Sequence, residues 1–170
     1  MAIILEGMDN SGKSTLAKKF GLEIVHPGPR PKTWGEEQNC LDNQLRECRN
    51  PIVMDRVTCI SSQVYKGRLF DHAYMSYLDR MVFTKCCVII YCRPPRNVIL
   101  KLDSHEVKPY DTAEALANIK LNGHNYIESY DQLFRSTPHL VYNYITPDES
   151  VIERAMDMAF NLGAWKKWIS

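Results

Sequence analysis

A chain of 170 residues that is 45% hydrophobic and 24% charged has the composition of one globular domain, and folding at that size buries about 70% of the unfolded surface. Its 21 basic and 20 acidic residues leave a net charge of +1, which supplies no overall field for drawing the protein onto nucleic acid or an anionic membrane. The six cysteines form no C-x-x-C, no apolar run approaches the ~18 residues of a membrane helix, and no leader pattern opens the chain; the expectation is reduced thiols in a cytoplasm, with no zinc site.

Ala2-Ile3-Ile4-Leu5 predicts a short buried strand, and residues 15–20 read as the first turns of a helix. Between them, Gly7 to Ser14 spells G-x-x-x-x-G-K-S, a phosphate-binding loop in its proper strand-to-helix setting. The glycines let successive backbone N–H groups turn inward toward phosphate oxygens, and the helix N-terminus adds its positive end. Gly7, Asn10, Ser11, Gly12, Lys13, Ser14 and Thr15 are therefore the expected ATP-binding residues. Lys13 would reach the β- and γ-phosphates, and the Ser14 hydroxyl would ligate Mg²⁺.

A second strand is predicted at residues 23–26, ended by the proline-rich loop 27–31, because proline cannot donate to a sheet ladder. A polar helix is predicted over 33–49 and a third strand over 51–54, running straight into Asp55-Arg56. Residues 59–65 and 71–83 carry helical spacing. The continuous apolar run 86–91 suits a strand covered on both faces, with Cys86 and Cys87 pointing to opposite sides. A short helix over 96–102 precedes a polar excursion at 103–109. A long helix follows over 111–133, with Asp111 or Thr112 as N-cap. A fifth strand at 139–145 and an amphipathic helix over 148–162, closed by Gly163, complete the pattern. Alternating strands and helices predict an α/β P-loop NTPase fold: a five-stranded parallel sheet with helices on both faces, in a single domain over 1–170.

Ligands in such sheets bind beyond the carboxyl ends of the strands. The expected strand ends carry the phosphate loop, His26 with Arg30, Asp55-Arg56, and Arg93 with Arg96. Three of the four bring cations toward one crevice, which suits a substrate bearing several phosphates. Asp55, closing an apolar strand, stands where an acid holds Mg²⁺, usually through water.

The run Glu6-Gly-Met-Asp9-Asn-Ser-Gly-Lys-Ser-Thr15 resembles the E-G-x-D-x-x-G-K-S-T loop of thymidylate kinases. Asp55-Arg56 with Ser61-Ser62-Gln63-Val64-Tyr65 resembles their D-R segment and its downstream helix. Pro27-Gly28 with Gly35-Glu36, and residues 123–134, resemble further stretches of that family more loosely. The compact length matches short phage-encoded proteins of the same kind, which would act in the host cytoplasm. The resemblance implies a nucleoside monophosphate kinase that moves the ATP γ-phosphoryl group to a deoxypyrimidine monophosphate, most simply dTMP. It implies that Asp9 bonds the acceptor sugar hydroxyl, that Arg56 clamps its phosphate, and that Ser62 and Gln63 approach the base. Tyr65 would stack on sugar or base, or else fill the core. His26, where the family has Glu, either contacts the acceptor or is structural.

Thymidylate kinases supply a further arginine beside the loop or in a lid. Here position 10 is Asn and the lid segment, about 103–111, contains no arginine, so Lys108 is the expected cation completing the catalytic set of Lys13, Asp9 and Arg56. The alternatives are a kinase acting on a modified deoxynucleotide or base hydroxyl, including one within DNA, a deoxynucleoside kinase, and a nucleotide-binding switch. No N-K-x-D base motif supports the last. The expected partners are ATP and a nucleoside monophosphate, without a membrane and with little call on nucleic acid. The helices between 33 and 83 could build a homodimer.

Overall fold

The structure, a computed structural model, describes residues 1–9, 11–28, 31–100 and 113–161. All five expected strands form: β1 (Ile3–Glu6), β2 (Glu23–Val25), β3 (Ile52–Asp55), β4 (Val88–Cys92) and β5 (Leu140–Tyr142). They pair in parallel in the order β2-β3-β1-β4-β5. The helices are α1 (Lys13–Lys19), α2 (Trp34–Glu47), α3 (Thr58–Tyr65), α4 (His72–Asp79), α5 (Arg96–Ile99), α6 (Ala113–Phe134) and α7 (Ser150–Phe160). The fold is that of a P-loop α/β protein.

The order places the site. From β1 the chain steps over β3 to β2 at the sheet's edge, then returns through β3, β4 and β5 in the opposite direction. Right-handed crossovers then put α1 on one face and α2, α3, α4 and α6 on the other. Consistent with this, α3 packs on α2, α4 and α6, while α1 lies against β1 and β3. Chains leaving β1 and β3 depart to opposite faces, which opens a crevice at their carboxyl ends. The central strand β1 is fully buried at all four residues, including Glu6.

Sequence boundaries shift where local chemistry intervenes. Residues 71–83 do not form one α-helix: Asp71 caps α4 by accepting from the Ala73 N–H at 3.0 Å, and Arg80–Thr84 continue as a π-helical turn. Cys86 takes a left-handed φ of 56°, so β4 begins only at Val88, and the paired cysteines do not straddle the sheet. The fifth strand stops at Tyr142, because the Asn143 side chain accepts from the Ile145 N–H and donates to Thr146, closing a turn. Thr33 caps α2 in a reciprocal box with Glu36. The expected lid at 103–111, the N-cap at Asp111 or Thr112, the Gly163 cap and the tail lie outside the described residues. Among the described residues no helix is long and apolar enough to cross a membrane.

Candidate active site

The phosphate loop is shaped by two positions that only glycine satisfies. Gly7 has φ 138°, and a Cβ there would come 2.5 Å from the Cys92 carbonyl oxygen; Gly12 has φ 83°, with the Tyr144 ring 2.8 Å from a Cβ. The loop is thus pressed between β4 on one side and the turn after β5 on the other. Gly12 is the N-cap of α1 and its carbonyl accepts from the Leu16 N–H at 3.0 Å. Ser11 is buried, whereas Ser14 and Thr15 are exposed on the first turn of α1.

Lys13 curls back over the loop it belongs to. Its Nζ donates to the carbonyls of Gly7 at 2.9 Å and Met8 at 2.6 Å, and to Ser11 Oγ at 3.3 Å. Burial, reinforced by the neighbouring Arg56 charge, lowers its ammonium to about 8.

At the end of β3, Arg56 is held in a left-handed conformation, φ 75°, by its N–H donating to the Leu5 carbonyl at 2.9 Å. That twist directs the guanidinium back across β1 to the loop. Nη2 donates to Asp9 Oδ1 at 2.6 Å and to the Gly7 carbonyl at 3.3 Å, while Nε is buried with no partner. The guanidinium lies 5.5 Å over the Tyr65 ring, which meets Tyr126 edge-on at 4.8 Å. Asp9, Arg56 and Tyr65 are therefore brought together beside Lys13.

Asp55 keeps one carboxylate oxygen, Oδ1, buried without a hydrogen-bond partner, and its Oδ2 lies 3.4 Å from His26 Nδ1. The His26 side chain is 66% exposed, so it is not a satisfied core histidine. An unpaired buried carboxylate oxygen and an exposed serine hydroxyl are hard oxygen donors, and they fit Mg²⁺ held partly by substrate phosphates and water. No cluster of three or more His, Cys, Asp or Glu side chains able to hold a metal exists among the described residues.

Three expectations change. Gln63 does not face the crevice: it is fully buried, its Nε2 donating to the Cys59 carbonyl at 2.8 Å and its Oε1 accepting from the Phe70 N–H at 2.7 Å. Its hydrogen-bonding capacity is spent on the backbone that ends α3. Arg93 is no phosphate ligand in this arrangement, because it grips Asp131 on α6 bidentately at 2.8 and 3.0 Å, and Tyr91 donates to the same carboxylate. Arg96 is drawn to Glu128 and Asp131. Of the strand-end arginines described, only Arg56 reaches the loop. Asn10, Arg30 and Lys108 lie outside the described residues.

Two buried acids, Glu6 and Glu37, stand near the crevice besides the expected residues. Glu6 ends β1 with its Oε1 accepting from the Val57 N–H at 2.6 Å and Oε2 from the Tyr130 hydroxyl at 3.2 Å. Burial raises its carboxyl to about 7, against the Val57 hydrogen bond and the charges of Arg56 and Lys13. A carboxylate closing an apolar strand was the available signal. Glu37 on α2 accepts from Lys66 at 2.8 Å on both oxygens and from Ser62. Nothing local marks it.

A cavity of about 220 Å³ opens between the loop after β2 and α3, with Arg56, Ser62, Tyr65 and Lys66 in its wall. A second, of about 360 Å³, lies beside it between β2 and α2 and shares Pro27 and Arg56.

No protein-family model matches the sequence, and no curated protein matches it at a significant level. Among solved structures, the fold is similar to that of the YorR protein of Bacillus subtilis, crystallised in complex with phosphorylated GDP. The TM-score is 0.62 and the identity 18%, over 98% of each chain. Deoxyadenosine kinase from M. mycoides with bound dATP is more distant, with a TM-score of 0.47 and 22% identity over 92% of this chain and 98% of that one. At 18% identity the likeness to YorR bears on the fold alone.

Proposed function

We propose that the chain is a nucleoside monophosphate kinase that transfers the ATP γ-phosphoryl group to a deoxypyrimidine monophosphate, most simply dTMP. The observation that carries this reading is Arg56. Its guanidinium is held against the phosphate loop by Asp9 and the Gly7 carbonyl, in the wall of the 220 Å³ cavity and with Nε still unpaired. An acceptor phosphate bound there would lie beside the ATP γ-phosphate, and a planar fork suits its oxygens.

The chemistry asked of the protein is positioning and charge neutralisation. An oxygen of the acceptor phosphate attacks the γ-phosphorus in line, the bond to the bridging oxygen breaks, and its electron pair leaves with ADP. Lys13 would leave the loop carbonyls for the β- and γ-phosphate oxygens, and those anions would restore its full charge. Arg56 would hold the attacking phosphate, and Asp9 would position Arg56 and the acceptor sugar. Ser14 and Asp55 would hold Mg²⁺, which supplies neutralisation of the γ-phosphoryl oxygens when bound. The lid segment, with Lys108, would exclude water and complete the set of cations.

A deoxynucleoside kinase is the second reading, favoured by the His26–Asp55 contact at 3.4 Å, because a sugar hydroxyl needs a proton acceptor and a phosphate does not. A coupled assay of ATP consumption against nucleosides, nucleoside monophosphates and an oligonucleotide separates the two. Turnover with dTMP and not with thymidine is the expected result. Turnover with thymidine alone would replace the first reading with the second.

A further inference from the structure

The acceptor cavity has an unequal supply of hydrogen-bonding groups, and this bears on the base it takes. Its phosphate end is set by Arg56, just before α3, and Lys66 stands at the other end as the helix's C-cap. The eight residues of α3 between them span ~12 Å, the reach of a mononucleotide laid along the helix. A base belonging to a phosphate on Arg56 would therefore lie against Ser61, Ser62 and Lys66.

The groups there are mostly donors. Lys66 has three N–H donors and no acceptor; two serve the oxygens of Glu37, leaving one. Ser61 Oγ is buried without a partner, so its hydroxyl proton is uncommitted. Ser62 donates to Glu37, which leaves its oxygen lone pairs as acceptors. Glu37, only 3% exposed, has both oxygens taken, and the Lys66 and Ser62 hydrogen bonds outweigh burial in holding its carboxyl below the usual range. No carboxylate or carboxamide side chain lines the cavity among the described residues.

We propose that Lys66, anchored by the buried Glu37, reads the acceptor base and selects nucleobases that present a carbonyl rather than an amino group at the edge facing α3. This rests on the kinase reading above and extends it to base selection. A uracil or thymine edge offers carbonyl oxygens to Lys66 and Ser61 and an N–H to the Ser62 oxygen. Cytosine puts an amino group against an ammonium and an N3 lone pair against the Ser62 oxygen, so that Lys66 and Ser62 are left unpaired while its remaining carbonyl can still meet Ser61, and a buried site penalises such unpaired groups strongly. The pairing also gives Glu37 a purpose: it fixes a flexible lysine in one place, so the surviving donor points in one direction.

The cleanest probe is the pair dUMP and dCMP, which differ only at that edge. The wild-type protein is expected to favour dUMP at least tenfold in kcat/KM. Lys66→Met should bring the two within about threefold, chiefly by raising the KM for dUMP, and Lys66→Arg should keep the preference. Because Lys66→Met alone strands the Glu37 charge, the double variant Glu37→Gln/Lys66→Met is measured beside it; it is also expected to lose the preference. Equal use of dUMP and dCMP by the wild type, or an unchanged ratio in both methionine variants, would overturn the proposal. If only nucleosides are phosphorylated, the monophosphate reading fails separately, and deoxyuridine against deoxycytidine then tests the base reader in the same variants.

Discussion

Glu6 ends a fully buried strand with a carboxyl that burial raises from 4.5 to about 7, and this fixes the sign of its effect on stability. Between those values the folded protein keeps a proton that the unfolded chain has released, so stability falls as pH rises through the window. Arg56, Lys13, Tyr130, Cys59 and Cys92 face the same carboxyl, and the two cations hold the rise down. Glu6→Gln keeps the Val57 N–H bond, lets its amide donate to the Tyr130 hydroxyl oxygen in place of accepting from it, and removes the titration. Urea midpoints from pH 4.5 to 7.5 should decline in the wild type and run flatter in the variant; parallel curves would show that Glu6 does not titrate there. Lys13→Ala is expected to keep the fold and lose at least a thousandfold in turnover, about 4 kcal/mol, since the lysine neutralises charge that develops only on the phosphates. A circular dichroism melt beside the rate assay checks both halves, and a variant with half the wild-type rate would remove the loop from the catalytic centre. Lys13, Ser14 and the loop glycines were readable because they fall within one motif of eight consecutive residues, and the partners of Lys13 lie inside it. Glu6, Glu37 and Gln63 were not read correctly. The partners of Glu6 lie 51 and 124 positions away and those of Glu37 as many as 29, so only the fold brings them together. Gln63 is bound to backbone four and seven residues off, but the same sequence could equally have turned its amide outward.

At the scale of elements, the stem of the expected lid is pinned to the sheet. Arg93, on the chain just past β4, holds Asp131 on α6, and Arg96 on α5 reaches Glu128 and Asp131 on the same helix. These contacts tie together the two segments that flank residues 101–112. The Arg93–Asp131 pair is half-buried and bidentate, so it is worth more than a solvated ion pair. Asp131→Asn should cost about 1–3 kcal/mol in urea unfolding, because Arg93 and the Tyr91 hydroxyl both lose charge-assisted partners. A loss under ~0.5 kcal/mol would mean that the pair is solvated and the pin immaterial. Apolar runs disclosed β1, β3 and β4, since a strand buried on both faces needs a continuous hydrophobic stretch, while the edge strands β2 and β5, partly exposed, showed as shorter apolar stretches. Their ends were less visible. The early stop of β5 depends on one asparagine side chain, and the late start of β4 on one left-handed cysteine, neither of which changes hydrophobic periodicity.

For the molecule as a whole, alternating strands and helices foretold a parallel sheet but not its order, because order depends on which strands pair across 29 to 85 residues of chain. That order decides which loops meet. It sets β1 between β3 and β4, so the phosphate loop lies beside Arg56 and over the Cys92 carbonyl, while the segment after β2 forms the far wall of the 220 Å³ cavity. The strand-end rule pointed to the end of the sheet where the loop and Arg56 meet, yet it could not tell an arginine with a nitrogen left over from one spent on a neighbouring helix. Arg56 and Arg93 look alike in sequence and differ in partner: a loop aspartate with a nitrogen left over, against a fully bidentate carboxylate. The central claim is that Arg56 makes this crevice a site for an acceptor that carries a phosphate. Isothermal titration of dTMP and of thymidine into the wild type and into Arg56→Ala tests it most directly. The account predicts that the wild type binds dTMP at least tenfold more tightly than thymidine, about 1.4 kcal/mol, and that the variant loses this advantage while its ATP affinity holds. Thymidine binding as tightly as dTMP to the wild type, or an advantage for dTMP that survives in Arg56→Ala, would contradict it.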